Sequence, residues 1–262
     1  MFKYLRLLKY ELKNILSDSM SKVMLIYPIF IIIVGAYVLP ILLERFGDDT
    51  PGTQVAALVM IIFFASIAPF ITAAMLGFNL LDNRDDNTID TIRVTPISLR
   101  GYITFKSIYA YILSVNASFF VMFGTKHLSG DGYTVMGINL FDNFTAGWIF
   151  IYAVVAGLFT PLFGLLLSAF AKNKIEGFAF MKASGMIIIV PALAVIETMQ
   201  DAKQYFLGII PIFWPVKGLM TSADLLVHSS NLDVWLYMVI GILYMIVLII
   251  IFYKIFDRKL QG

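Results

Sequence analysis

Cysteine is absent from this 262-residue chain, and charged residues make up only 14% of it. Without cysteine the chain has no disulfide bond, no thiolate-bound metal and no attachment point for a c-type haem. A soluble domain carries roughly 25% charged residues, whereas 60% of the residues here are hydrophobic. So few polar side chains cannot coat the surface of a soluble globule. The composition therefore predicts an integral membrane protein.

Catalytic motifs are missing too. The two histidines, His127 and His228, have no acidic neighbours at ligand spacing, and neither an H-E-x-x-H motif nor a nucleophile-elbow serine occurs. No glycine is followed by lysine, which excludes a G-x-x-x-x-G-K-[ST] phosphate loop. The enzymatic alternative is phospholipid head-group transfer at a Mg²⁺ ion held by an acidic cluster, which neighbouring arginines disfavour. That cluster consists of Asp82, Asp85, Asp86 and Asp90.

Six apolar segments are long enough to cross a bilayer as helices, which takes about 20 residues. Helices are favoured because each segment far exceeds the roughly 10 alternating residues of a membrane strand. Gly157 and Gly164 allow close helix packing, and Pro69, Pro161 and Pro191 can kink their helices. We predict an all-α integral membrane protein that forms a single transmembrane domain over residues 1–262. Its predicted spans are 23–43, 55–81, 107–125, 143–171, 177–196 and 234–253.

The basic residues predict the orientation of these spans. With the N-terminus in the cytoplasm, 15 of the 19 lysines and arginines fall on the cytoplasmic side or at its edge, as the positive-inside rule requires. Trp148 and Trp235 then lie at the outer ends of spans 4 and 6, where interfacial indoles are frequent. Six spans and a cytoplasmic N-terminus place the C-terminus in the cytoplasm as well, so both termini should be cytoplasmic. The first apolar stretch is too long for a cleaved signal peptide. The basic residues left in outer loops are Arg45, Lys126, Lys203 and Lys217.

The residues before span 1 have an amphipathic pattern. From Phe2 to Met20, apolar residues recur every three or four positions, and lysines or arginines occupy the remaining surface. The pattern predicts an interfacial helix over residues 1–22, with its basic side chains against anionic lipid head groups. The alternative is an ordinary helical lead-in to a positively flanked span.

The connection between spans 2 and 3 has the most unusual chemistry. Thr88 can cap a short helix that carries Asp90 in its first turn. Pro96 disfavours helical geometry at the preceding residue, so this helix should end near Thr95. Ser98 can then cap the helix that continues into span 3. Such a short charged helix is well placed to transmit a push from a cytoplasmic partner, although a solvated loop is the commoner case.

This connection resembles the one found in the membrane subunits of type-2 ABC exporters. Their pattern is Glu-Arg-Glu-x-Gly-Thr-Leu-Glu followed by Thr/Ser-Pro-Ile, and the matching residues here are 83–90 and 95–97. Asn83, Asp85 and Asn87 depart from it, since they replace the two leading glutamates and the glycine. Tyr10-Glu11-Leu12-Lys13 with Pro28 is similar to the family's entry helix. Residues 173–178 resemble a subgroup, the drug- or fluoroquinolone-export permeases.

The resemblance implies the permease subunit of an ATP-driven exporter in a bacterial-type cell membrane. The short helix would be a coupling helix seated on a separate ABC ATP-binding subunit, which would hold the ATP and Mg²⁺. This chain itself would bind no cofactor and no nucleic acid. A second permease copy, or a related permease, would complete a homo- or heterodimer. The coupling residues so implied are Asp85, Asp86, Asn87, Thr88, Ile89, Asp90, Thr95 and Pro96.

The outer connection between spans 5 and 6 contains a further apolar stretch. Residues 204–216 include Pro211, Trp214 and Pro215 and are too few to span a bilayer. We expect a re-entrant or interfacial segment here, and the exporter family is similar in folding short helices back into the outer leaflet. An ordinary amphiphilic outer loop is the alternative.

Polar residues within the spans are sparse. Lys182 is the only charge inside an assigned span, and its long side chain can reach the cytoplasmic head groups. Thr72, Asn116 and Ser118 are expected to form hydrogen bonds between helices. This sparseness disfavours a carrier coupled to protons or sodium ions. It suits an amphipathic, drug-like, peptide or lipid-like substrate. The alternative function is that of a secondary carrier or channel that works without a motor.

Overall fold

Six long helices dominate the computed structural model, which describes residues 19–47, 49–85, 98–196, 199, 201–225 and 232–261. Each helix is long and apolar enough to cross a bilayer. All six predicted spans fall on these helices, so the prediction of an all-α, multi-pass membrane protein is confirmed. Spans 1 to 6 are Ile26–Arg45, Pro51–Asp85, Leu99–Leu128, Ala146–Phe170, Lys174–Val195 and Val234–Lys259.

Three spans depart from a regular α-helix. Span 1 contains a π-helical turn, span 4 is broken at Leu158, and span 5 ends in 3-10 turns. Span 1 consists of Ser19–Ile33, the π-helical Val34–Val38 and Leu39–Phe46. Span 4 consists of Ala146–Gly157 and Phe159–Phe170. Span 5 consists of Lys174–Ser184 and the 3-10 segments Gly185–Ile188 and Val190–Val195, and the helix of span 6 continues to Gln261.

Spans 2 and 4 form the most buried pair. Span 2 stays helical through Pro69, although a proline has no amide hydrogen for the carbonyl four residues earlier. The Tyr152 hydroxyl of span 4 donates to that carbonyl, on Ala65. Thr160 donates to the carbonyl of Pro69 itself over 3.1 Å. Two buried hydroxyl groups from span 4 therefore satisfy the backbone around the proline.

Glycines bring the spans close together. A Cβ atom added to Gly164 of span 4 would lie 2.9 Å from the side chain of Leu76 in span 2. A Cβ added to Gly157 would lie 2.8 Å from Val115 of span 3. Contacts this short leave no room for a side chain. The close packing predicted at Gly157 and Gly164 is therefore confirmed.

A β-hairpin lies in the connection between spans 3 and 4. Its strands, Thr134–Val135 and Ile138–Asn139, pair antiparallel. The two turn residues, Met136 and Gly137, both have positive φ, at 54° and 74°, as in the type I′ turns that suit two-residue hairpins. The hydroxyl of buried Tyr133 donates over 2.7 Å to a backbone carbonyl in the π-helical turn of span 1. The hairpin is thereby fastened to span 1.

Two short helices form the connection between spans 5 and 6. They are the 3-10 helix Asp201–Ile209 and the α-helix Phe213–Ser222, which we call the outer helix. The outer helix packs against spans 4 and 6 and is largely buried. It extends past the apolar stretch at 204–216, whose re-entry into the membrane stays a prediction. Of the predicted interfacial helix, residues 1–18 lie outside the described residues.

Candidate functional site

The predicted coupling segment lies between span 2 and span 3, at what we call the basic end of the bundle, the end that carries the 2–3 and 4–5 connections. Asp85 is exposed and is the last residue of span 2. The structure continues at Ser98, whose hydroxyl accepts a hydrogen bond from the Gly101 amide over 3.2 Å. Ser98 thus caps span 3, as predicted. The other predicted coupling residues lie outside the described residues: Asp86, Asn87, Thr88, Ile89, Asp90, Thr95 and Pro96.

Arg84 joins the end of span 2 to the end of span 4. Its guanidinium donates to the carbonyls of Ser168 (3.4 Å), Ala171 (2.8 Å) and Lys172 (2.5 Å). The last carbonyls of a helix have no partner within it, and a cation beside them interacts favourably with the helix dipole. One side chain therefore satisfies the end of span 4 and holds two spans together.

The turn between spans 4 and 5 is also held against span 2. Asp82 of span 2 forms an ion pair with Lys174 at the start of span 5, with 2.8 Å between the charged atoms. The Asn173 side chain accepts from the Glu176 amide, and the Glu176 carboxylate accepts from the Lys172 amide, both over 2.9 Å. Reciprocal caps of this kind fix the residue at which a helix begins.

The start of span 3 is bonded to spans 6 and 2. Arg100 donates through Nε and Nη2 to the carboxylate of Asp257 in span 6, with a closest distance of 2.9 Å. The Tyr253 hydroxyl, one turn earlier in span 6, donates to the Arg100 carbonyl over 3.2 Å. Toward span 2, the Asn83 side-chain amide donates to the Tyr102 hydroxyl over 3.2 Å.

A buried lysine connects spans 2 and 3 one turn further into the bundle. Lys106 is only 5% exposed, and its ammonium donates to the side-chain oxygen of Asn79. The same ammonium lies 5.1 Å from the centre of the Tyr102 ring, where a cation–π attraction adds to the hydrogen bond. A buried charge is tolerated only where such contacts replace its hydration.

Both flanks of the predicted coupling segment are bonded to neighbouring spans. Its span 2 flank is bonded to spans 4 and 5, and its span 3 flank is bonded to spans 2 and 6. Side-chain contacts at this end therefore connect five of the six spans.

The structure does not bring together the acidic residues of the alternative Mg²⁺ cluster that it describes. Asp82 is paired with Lys174, and Asp85 points to the exposed surface. Asp86 and Asp90 lie outside the described residues. Within the ranges that the structure covers, no group of three or more histidine, aspartate or glutamate side chains is placed to hold a metal ion.

The polar residues predicted within the spans have different surroundings. Thr72 shares a 2.7 Å hydrogen bond with the Tyr27 hydroxyl of span 1, which confirms its expected role between helices. Asn116 instead donates over 2.7 Å to a carbonyl of its own helix, on Ile112, so that expectation was wrong for Asn116. Ser118 is buried and Lys182 is exposed.

At the opposite end, which we call the hairpin end, a lysine of the 5–6 connection is buried. Trp148 and Trp235 lie at this end with ring centres 5.1 Å apart, in line with their predicted place at one interface. Lys217 belongs to the connection in which the sequence predicts it, but it is only 2% exposed there, within the outer helix. Burial lowers the pKa of Lys217 from 10.5 to about 8. The apolar residues on both sides of Lys217 in the sequence were the available signal for its burial.

Comparisons with known proteins agree with this architecture. A family model described as "Fluoroquinolones export permease protein Rv2686c-like" matches residues 11–253. Two curated relatives come from strains of Mycobacterium tuberculosis, and they are the fluoroquinolones export permease proteins MT2760 (CDC 1551 / Oshkosh) and Rv2686c (ATCC 25618 / H37Rv). Each is 25% identical over 254 residues, which cover 95% of this chain and 92% of the relative. No solved structure matches the chain.

Proposed function

Since the chain belongs to the family of Rv2686c-like fluoroquinolones export permease proteins, we propose that it is the permease subunit of an ATP-driven (ABC) exporter. The proposed substrate is a fluoroquinolone or a similarly amphipathic, drug-like compound, which is the class that the names of the relatives indicate. Six apolar spans with few buried charges support such a cargo, because a hydrophilic ion would need charged groups along its path.

The observation that carries the proposal is the bonding at the two flanks of the coupling segment. Arg84 holds the end of span 4, and the ion pairs Asp82–Lys174 and Arg100–Asp257 hold spans 5 and 6. An ABC ATP-binding subunit seated on residues 85–96 would therefore move these spans together. ATP and Mg²⁺ belong on that subunit.

The complete exporter would contain two permeases, either two copies of this chain or one copy and a related chain, with the pathway between them. The basic end would face the cytoplasm with both termini, and the predicted interfacial helix would rest on that surface. The distribution of lysine and arginine supports this orientation. The outer helix would then cover the pathway from outside.

The experiment replaces Thr88-Ile89-Asp90 with Gly-Ser-Gly and measures ATP-dependent accumulation of a fluoroquinolone in inverted membrane vesicles. The permease is co-expressed with a candidate ABC ATP-binding subunit. We expect transport to be lost, because a flexible tripeptide cannot transmit a movement of the ATP-binding subunit to the spans. Membrane insertion should be unchanged.

The matched control places the same tripeptide at hairpin residues 136–138, at the far end of the bundle, and should keep ATP-driven transport. Full transport by the coupling variant would count against the proposal. So would wild-type transport that needs no ATP, which is the behaviour of a secondary carrier or channel.

A further inference from the structure

A narrow groove opens on the surface of the bundle between spans 3, 4 and 6. Its volume is about 240 Å³. Ile108 and Tyr111 form its span 3 wall, Leu165 lies at its back in span 4, and Ile249 and Tyr253 form its span 6 wall. Exposed Ile108 marks its open side. The groove is bounded by three different spans and lies beside the break in span 4.

The groove is too small and too apolar to hold a drug-sized substrate. Pockets for such ligands are typically about 300–1,000 Å³ and contain a few polar groups that orient the ligand. Here the two tyrosine hydroxyls are already engaged, that of Tyr111 with the Val154 carbonyl at 3.1 Å and that of Tyr253 with the Arg100 carbonyl at 3.2 Å. The Thr104 hydroxyl donates to that of Tyr253 over 3.4 Å, and the Ser107 hydroxyl is buried without a hydrogen-bond partner among the described residues. The rest of the lining is mainly apolar and suits a flexible hydrocarbon chain.

Basic residues lie near the end of the groove that points to the basic end of the bundle. Arg100 lies on the same face of span 3 as Ile108, two turns earlier. Its pair with Asp257 uses Nε and Nη2 and leaves the Arg100 side chain 66% exposed. Lys254 and Arg258 are exposed on span 6 beside it. Among the described residues, these three basic side chains outnumber the Asp257 carboxylate.

Arg100 and the far end of the groove are about one leaflet apart. Arg100 and Tyr111 are 11 residues apart on a continuous helix, which corresponds to about 16 Å at 1.5 Å per residue. Half of a hydrocarbon core of about 30 Å is about 15 Å. The groove itself begins at Thr104, so its span 3 wall is about 10 Å long. A lipid whose phosphate lies at Arg100 would therefore place part of one acyl chain in the groove.

We propose that this groove is a binding site for an anionic phospholipid, with an acyl chain between spans 3, 4 and 6 and the phosphate against Arg100. Lys254 and Arg258 add attraction for the head group. The bound lipid would join the start of span 3 to the end of span 6, the two elements that the Arg100–Asp257 pair also connects. The site shares Arg100 with the span 3 flank of the predicted coupling segment, but lipid binding itself needs no motor.

The first experiment titrates the purified full-length chain with phosphatidylglycerol or phosphatidylcholine of identical acyl chains and counts retained lipids by native mass spectrometry. We expect the wild type to retain several-fold more phosphatidylglycerol. Arg100→Gln should reduce this to the phosphatidylcholine level. Lys172→Gln removes an exposed basic residue from the turn between spans 4 and 5, at the same end of the bundle, and should retain lipid as the wild type does.

The second experiment fills the groove. Ile108 and Ile112 are both about half exposed on span 3, one turn apart, but only Ile108 lines the groove. Ile108→Trp should lower retention of both lipids several-fold, whereas Ile112→Trp should not. Equal retention of the two lipids by the wild type, or equal behaviour of the two tryptophan variants, would overturn the proposal. Neither ATP nor an ATP-binding subunit is present, so failure of the proposed export function leaves this outcome unaffected.

Discussion

Single polar side chains in this protein act mainly on backbone groups that the spans leave without partners. Arg84 bonds to the end of span 4, Tyr152 to the carbonyl four residues before Pro69, and Tyr133 to the π-helical turn. In a bilayer an unsatisfied backbone group costs several kcal/mol, so these side chains maintain the irregular spans. Burial also raises the pKa of the Tyr133 phenol, which keeps it a hydrogen-bond donor.

Lys217 carries a prediction at the same scale. Burial lowers its pKa from 10.5 to about 8, which corresponds to about 3 kcal/mol of disfavoured charge. The unfolded chain binds this proton more tightly, so wild-type stability should rise between pH 8 and about 10.5. Below pH 8 the cost is fully present. Lys217→Met should therefore stabilise the protein at pH 7, by about 3 kcal/mol at most, and should remove that rise.

Thermal unfolding in detergent at pH 7 and pH 9.5 measures both effects. Lys182→Met, at an exposed lysine of span 5, is the matched control and should change neither the midpoint nor its pH dependence. A Lys217→Met variant that unfolds earlier than the wild type at pH 7 would show that the buried lysine is a net stabilising contact.

At the scale of elements, the spans could be predicted but their irregularities could not. Each span is a long apolar run, a property that needs no knowledge of its neighbours. The π-helical turn of span 1 and the 3-10 turns of span 5 contain residues as apolar as the regular helices around them. Their geometry depends on side chains from other elements, such as Tyr133 for span 1.

The packing of spans 2 and 4 gives a prediction at this scale. Gly164→Ala would bring a Cβ to 2.9 Å from Leu76, and overpacking of this kind typically costs about 1–3 kcal/mol. Gly185→Ala is the matched control, because its Cβ would meet no atom within 4 Å. It should leave stability unchanged or raise it slightly, since alanine favours a helical backbone.

Thermal unfolding in the same detergent measures both effects. The midpoint of Gly164→Ala should lie below that of the wild type. The midpoint of Gly185→Ala should equal that of the wild type or lie slightly above it. Equal midpoints for Gly164→Ala and Gly185→Ala would mean that spans 2 and 4 do not approach as closely as the structure has them.

At the scale of the whole molecule, the two ends of the bundle differ in construction. The basic end is joined by ion pairs and by bonds from charged side chains to carbonyls. The hairpin end is joined mainly by aromatic rings, a β-hairpin and the buried outer helix, and Lys126 donates there to the carbonyls of Asp142 and Phe144. The ion pairs between spans at the basic end agree with a motor acting there, so the orientation in the membrane is decisive for the proposed function.

The absence of cysteine makes that orientation directly measurable. Ile138→Cys places one thiol on the hairpin, and Lys22→Cys or Lys259→Cys places one near a terminus; all three positions are exposed. A membrane-impermeant maleimide should label Ile138→Cys in intact cells and the other two only after permeabilisation. The wild type, which has no thiol, should not be labelled at all. The reverse pattern would place the basic end outside and contradict coupling to a cytoplasmic ATPase.

The sequence by itself determined that this protein lies in the membrane, that it has six spans, and that residues 83–97 resemble an exporter's coupling segment. These properties depend on the apolar content of continuous runs and on residue order, which are local. Only the tertiary structure decided that Arg84 closes span 4, that Lys217 is buried, and that a groove lies between spans 3, 4 and 6. The partners of Arg84, Tyr152 and Tyr133 lie 84 to 98 positions away. Such partners are selected by how the helices pack, because a polar group in an apolar medium bonds to whatever donor or acceptor the packing brings within reach.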